Sequence, residues 1–290
     1  MRRKTTLRLS TRLLILLCLM GAGLLVTSEV TALFSNQGLL AMLTTQDILA
    51  FIAPALLAMA IFYFRPIHTM CLDRAPGWTA IIIVVLFYII SLPAMNWLVE
   101  LNKSMSLPDW MSGIEQAMLK AEEEAAELTK RLLDFQSVGM LIACIFVVGF
   151  MAGLSEEMLF RGAMLRTMQD SRMGTHAAVW ITAIIFSAIH MQFYGFVPRL
   201  LLGVWLGYLL VWTRSLWTPI IAHTLNNATV VVMSFLTNRG IIPEGYGDSI
   251  GLPSPGSLPW LAIVSIIASI ALAFWTARHY QDKNKVYLQK

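Results

Sequence analysis

Six residues in the second half of this chain have side chains suited to moving protons and stabilising an anion: Glu156, Glu157, Arg161, His190, His223 and Asn227. Their spacing is informative. Glu157 and Arg161 stand four apart, as do His223 and Asn227, so on helices each pair shares one face. Glu156 lies about 100° round the helix from Glu157. One carboxylate can therefore pair with the arginine while the other points elsewhere. General acid–base chemistry needs a carboxylate or imidazole beside a water, with donors aimed at the developing oxyanion. Each cluster alone also has a plainer reading: a frayed helix end for the acids, hydrogen-bonded core for His190, and helix–helix glue for His223 and Asn227. Together, on neighbouring segments, they suggest one polar pocket.

The segments that must position these residues are apolar. Of 290 residues 57% are hydrophobic and only 13% charged, against about 25% charged in an ordinary soluble domain. The charges gather between long apolar runs, as in a chain that crosses a membrane repeatedly. Eight helical spans are expected, at about 13–34, 48–64, 78–99, 137–156, 177–195, 197–213, 217–236 and 258–277, because backbone in lipid must satisfy its hydrogen bonds within its own segment. The fold class is all-α, a polytopic transmembrane bundle. The first run is longer than the apolar core of a cleaved signal, about 7–15 residues, and reads as a retained span. With both termini on the cytoplasmic side of a cell membrane, 15 of the 21 basic residues fall inside, including Arg65, Arg74, Arg161, Arg166, Arg172 and Arg214.

Net charge is +4, but the basic residues form no stripe interleaved with aromatics, so a nucleic-acid partner is not expected. Three scattered cysteines exclude a disulfide framework and a zinc knuckle. Residues 100–136 contain the acidic run Glu122-Glu123-Glu124 among helix formers, an expected extramembrane helix between the third and fourth spans. Three regions follow: 1–136 with the first spans and this acidic segment, a core at 137–236, and 237–290 with a loop, the last span and a basic tail. His68, His176 and His279 are expected to be solvated.

Glu156-Glu157-x-x-x-Arg161, Phe186-x-x-x-His190 and His223-x-x-x-Asn227, in that order on consecutive apolar helices, resemble the three motifs of the CAAX-protease and bacteriocin-processing (CPBP, or Abi) family. Its members include the Ras-converting CAAX prenyl endopeptidase. The resemblance covers roughly residues 137–236. It implies an intramembrane endopeptidase acting on a peptide or protein tail, including membrane-anchored ones, near the cytoplasmic face. Glu156 would activate the attacking water with help from His190; His223 and Asn227 would stabilise the oxyanion; Glu157 and Arg161 would hold the helix in place. No cofactor is favoured, although Glu156, His190 and His223 are the candidate ligands if zinc is present. The HExxH spacing, which places two ligands on one helical turn, is absent.

Two other functions are open to the same residues: a non-catalytic immunity or scaffold protein, and a proton-coupled transporter. The transporter is disfavoured because paired repeats are the usual signature, and the polar residues here occupy one half of the chain. Simple antiparallel fourth and fifth spans would leave Glu156 and His190 at different depths. The apolar pattern through Met164, Leu165 and Met168 instead predicts a fourth helix that continues past Arg161 to a turn at 170–174.

Overall fold

The protein was analysed as a computed structural model, which describes residues 2–33, 38–171, 173–254 and 257–288. Arg172 and Lys290, both counted above among the inner basic residues, lie outside the described residues. The chain is all-α. Its helices are α1 (Leu9–Leu33), α2 (Leu39–Phe62), α3 (Trp78–Lys103), α4 (Ser112–Leu133), α5 (Val138–Gln169), α6 (Thr175–Ala188), α7 (Phe196–Thr213), α8 (Trp217–Asn238) and α9 (Trp260–Leu288). A single helical turn, Pro66–Thr69, caps α2. Seven of these segments are long and apolar enough to cross a membrane; α4 is too polar, and α6 has only 14 residues.

The fourth and fifth predicted spans thus differ from expectation in opposite directions. α5 runs for 32 residues, roughly 48 Å at the usual rise, well beyond a hydrocarbon core of about 30 Å. α6, at about 21 Å, falls short of it. Glu156 lies 13 residues before the end of α5 and His190 lies 15 residues after the start of α6. Counted from the turn joining the helices, both reach a similar depth of about 20 Å. The expected continuation of α5 past Arg161 supplies this match, because it moves Glu156 away from the inner end while His190 keeps the depth its distance from the turn sets.

Backbone that leaves a helix inside a membrane has to find partners. After α6 the chain turns through Met191, whose φ is 54°, and through Phe193–Gly195 before α7 begins. The buried Asn102, at the end of α3, clamps this turn. Its Nδ2 donates to Phe193 O at 3.0 Å and its Oδ1 accepts from Val197 N at 2.8 Å. Ser187 Oγ donates to Phe196 O at 2.7 Å.

Two pairs of glycines bring the site-bearing helices close. Added Cβ atoms at Gly149 and Gly153 of α5 would meet Ala228 and Thr224 of α8 at 3.4 and 3.0 Å. Gly203 and Gly207 of α7 stand equally tight against Ala183 and Val179 of α6, at 3.1 and 2.9 Å. Small residues four apart are the usual means of close helix approach in lipid, where apolar burial gives little drive.

Two charged residues assigned to inner segments are in fact buried. Arg161 is fully enclosed and Arg12 is 1% exposed. Arg12 Nη1 donates to Tyr63 Oη at 2.8 Å and to Asp170 Oδ2 at 3.1 Å, and Tyr63 Oη donates to the same carboxylate at 3.0 Å. Burial pushes the Tyr63 phenol up to about 12, so it stays a donor. This cluster ties α1, the end of α2 and the end of α5 together. His279 is not solvated either, because its ring stacks on Trp275 at 5.1 Å. His176, though exposed, bonds Tyr208 Oη at 2.7 Å.

Candidate active site

α5 carries its acids on the turn Ala152–Glu157, between two π-helical stretches, Ile145–Met151 and Met158–Leu165. Single π segments interrupt the regular hydrogen-bond ladder and turn side chains to new directions. Glu157 and Arg161, both fully buried, form the expected pair, with Arg161 Nη1 donating to Glu157 Oε1 at 2.7 Å. Arg161 Nη2 donates to Gly203 O at 3.0 Å, and the guanidinium lies 4.4 Å from the centroid of Phe186. A buried charge is tolerable only when paired and hydrogen-bonded, and this arginine is both.

Glu157 does more than pair with Arg161. His223 Nδ1 lies 2.9 Å from the same Oε1, and an ionised carboxylate only accepts, so Nδ1 carries a hydrogen. That fixes the ring and aims Nε2 at Glu156, whose Oε2 is 3.8 Å away. The gap is too long for a hydrogen bond. Glu156 Oε2 is buried and has no hydrogen-bond partner, while the Glu156 side chain as a whole is 19% exposed. It is the reactive-looking member of the pair.

His190 sits just beyond the end of α6. Its Nδ1 donates to Phe186 O at 2.8 Å, because a carbonyl accepts only, and Nε2 is left as the group available for chemistry. Phe186 also joins the clusters physically. Its ring makes edge contacts with His190 at 5.1 Å and with His223 at 6.0 Å, in addition to holding Arg161. Glu156, Arg199 and His223 all act electrostatically on His190.

Asn227 is placed differently. One turn beyond His223 on α8, its Nδ2 donates to Val148 O at 3.1 Å, in the first π stretch of α5. Its Oδ1 accepts from Asn226 at 3.2 Å. One amide hydrogen of Asn227 remains uncommitted, since the group has two. Among the described residues no three His, Cys, Asp or Glu side chains are grouped to hold a metal ion. Glu156, His190 and His223, the ligands expected if zinc is present, are not drawn into such a group.

One acid escaped the sequence reading. Asp47 of α2 is 7% exposed, accepts a hydrogen bond from Ser155 Oγ at 2.6 Å, and lies within electrostatic reach of Glu156. The second span was expected to start at residue 48, which left Asp47 in a loop. Extending the apolar run back to Leu39 would have exposed it as an ionisable residue inside a span, which marks function by default.

Residues 138–229 match a family described as type II CAAX prenyl endopeptidase Rce1-like. All six candidate residues lie within that matched stretch; Asp47 does not. Two proteins of Bacillus subtilis (strain 168) are similar to this chain. "Uncharacterized protein YpbD" is 27% identical over 105 residues, covering 35% of this chain and 49% of that protein. "Putative membrane peptidase YdiL" is 28% identical over 120 residues, covering 41% of this chain and 48% of that protein. The chain spans about half the length of each of these relatives. No solved structure matches.

Proposed function

We propose that this protein is an intramembrane endopeptidase in which Glu156 acts as general base on a water molecule. The observation that carries the reading is the half-buried Glu156 carboxylate at mid-span, whose buried, unpartnered Oε2 lies 3.8 Å from an oriented His223 ring. A water in that gap gives its proton to Glu156 as its oxygen attacks the scissile carbonyl carbon. The carbonyl π bond breaks and leaves a tetrahedral oxyanion. When the C–N bond then breaks, the proton held by Glu156 passes to the departing amine, so Glu156 is regenerated and no further reactant is consumed.

The neighbours divide the remaining work. His190, through Nε2, holds the water beside Glu156. His223, pinned through Nδ1 by Glu157 and donating through Nε2 in its doubly protonated form, and the uncommitted amide hydrogen of Asn227 are the donors to the oxyanion. Glu157 and Arg161 support them and do not touch the substrate. The name of one relative and the family match of the core support peptidase chemistry over other uses of a glutamate and histidine pair. The substrate class is a peptide or protein tail that reaches the site from the membrane side bearing the N-terminal arginines, taken as cytoplasmic from the excess of basic residues there.

The test is comparative proteomics of membrane fractions from cells making the wild type or Glu156→Gln. Peptide termini present only with the wild type are the expected result. Identical termini, together with an undiminished biological effect of the variant, would replace this reading with a non-catalytic scaffold.

A further inference from the structure

Far from the catalytic cluster, at the end of the bundle where α2, α5 and α7 stop, lies a cavity of about 760 Å³. That is within the usual range for small-molecule sites, about 300–1,000 Å³. Arg2, Arg65, Arg74, Arg166 and Arg214 line it together with His68, and among the described residues no Asp or Glu does. Five arginines around one space repel one another unless an anion sits among them.

Little inside the protein neutralises them. Asp170 already accepts from Arg3, Arg12 and Tyr63. Asp73 is bound by His68 at 2.7 Å, and that hydrogen bond holds its carboxyl below the ordinary range. Arg166 spends Nε on Thr69 O at 2.8 Å and Nη1 on Gln169 at 2.9 Å. Arg65, Arg74 and Arg214 form no ion pair among the described residues, and all three are exposed.

The arginines are also held in place. Cys71 and Arg214 both adopt left-handed backbone, with φ of 60° and 54°, a conformation that costs a non-glycine residue about 1 kcal/mol or more and persists where the surroundings enforce it. Here the enforcement is visible: Leu216 N donates to Cys71 O at 2.9 Å, Ser215 Oγ donates to Arg74 O, and Trp217 Nε1 donates to Leu72 O at 2.9 Å. Two loops from opposite halves of the chain are thereby locked side by side, each presenting an arginine.

We propose that this cavity binds the phosphate-bearing headgroup of an anionic phospholipid. Guanidinium groups suit phosphate oxygens through paired donors, and basic pockets between span ends are natural sites for anionic headgroups. The apolar rim favours a lipid over a soluble phosphate. Phe64 and Ile67, 54% and 42% exposed, flank the arginines, and Leu57 and Ile61 continue that exposed apolar face along α2. A headgroup in the cavity leaves its acyl chains beside these residues. The inference is independent of the peptidase reading.

The experiment is native mass spectrometry of the full-length protein titrated with phosphatidylglycerol, phosphatidylcholine or inorganic phosphate. Phosphatidylglycerol is expected to bind about tenfold or more tightly than phosphatidylcholine, and the pair Arg74→Gln with Arg214→Asn to weaken it about 30-fold. Asn is chosen because it tolerates the left-handed backbone. Should the double variant not fold, Arg65→Gln alone, exposed and unbonded, is expected to weaken binding about fivefold. Lys130→Gln with Arg131→Gln on α4, which removes the same charge elsewhere, should change nothing. Equal binding of the two lipids, unchanged binding in the arginine variants, or displacement of phosphatidylglycerol by millimolar inorganic phosphate would each overturn the proposal.

Discussion

The protein gathers arginines in two ways, and the contrast separates structure from binding. Arg161 stands alone in the bundle interior, and every direction around it is filled: Glu157 on one side, Gly203 O on another, the Phe186 ring beneath. Arg65, Arg74 and Arg214 stand together at the bundle end and form no ion pair among the described residues, although Asp73 lies within electrostatic reach of Arg74. In the low-dielectric interior an unpaired charge costs several kcal/mol, so each one must be answered within the fold. At the rim, water and salt screen like charges over about 10 Å, and the fold can afford a cluster whose partner comes from outside. A satisfied arginine is part of the scaffold; an unsatisfied group of them is a site.

The same distinction divides the two adjacent glutamates. Both glutamates keep a buried Oε2 without a partner, but Glu157 Oε1 is shared by Arg161 and His223, whereas Glu156 accepts no hydrogen bond among the described residues and is 19% exposed. Neighbouring positions on one helix turn thus have opposite uses.

Breaking the interior pair should have the largest effect. Arg161→Ala leaves Glu157 in the core without its cationic partner and with His223 alone against it, and loss of about 3–5 kcal/mol is expected to appear as a collapse in the yield of folded, detergent-solubilised protein. Adding Glu157→Gln to that variant should recover part of the loss, because the stranded charge is then gone. If Arg161→Ala alone proves as stable as the wild type, the distinction between the two kinds of arginine fails.

Glu156→Gln comes next, with the opposite profile. Cleavage should fall by about 10²–10⁴-fold, read with purified enzyme in liposomes on a substrate taken from the terminus mapping, while the unfolding midpoint stays within a few degrees of the wild type. A large drop in that midpoint would make Glu156 structural and bring it level with Glu157.

Arg65→Gln should leave thermal stability unchanged or slightly raised at low salt, since it relieves repulsion in the cavity. A clear destabilisation would mean that the cavity arginines are scaffold after all. The smallest effect belongs to the exposed pair of Arg131 and Glu127 on α4. Arg131→Ala is expected to cost no more than about 0.5 kcal/mol in the same unfolding measurement, which sets the baseline for a surface charge.

Much of this was legible in the sequence because helices are local objects. Their hydrogen bonds close within a few residues, so apolar runs disclosed the spans, and spacing of four disclosed the Glu157–Arg161 pair. The apolar pattern through Met168 disclosed that α5 continues. The three polar clusters could also be expected to lie near one another, since charges inside spans need a reason to be there, and His223 does approach Glu156 while Phe186 touches both histidines.

Other features required the fold. Asp47 meets Ser155 across 108 positions, and no local pattern encodes that contact. The pinning of His223 by Glu157 depends on how closely α5 and α8 approach, which Gly149 and Gly153 set by lacking side chains. Arg12 read as a charge of the basic N-terminal tail until packing enclosed it. The arginine cavity draws on the N-terminus and on loops some 140 residues apart in the chain, each unremarkable alone. Sequence fixes what a residue can do and which helix face it occupies. Which faces meet, and which charges are left without an answer, depends on contacts between distant segments, and only the packed bundle decides those.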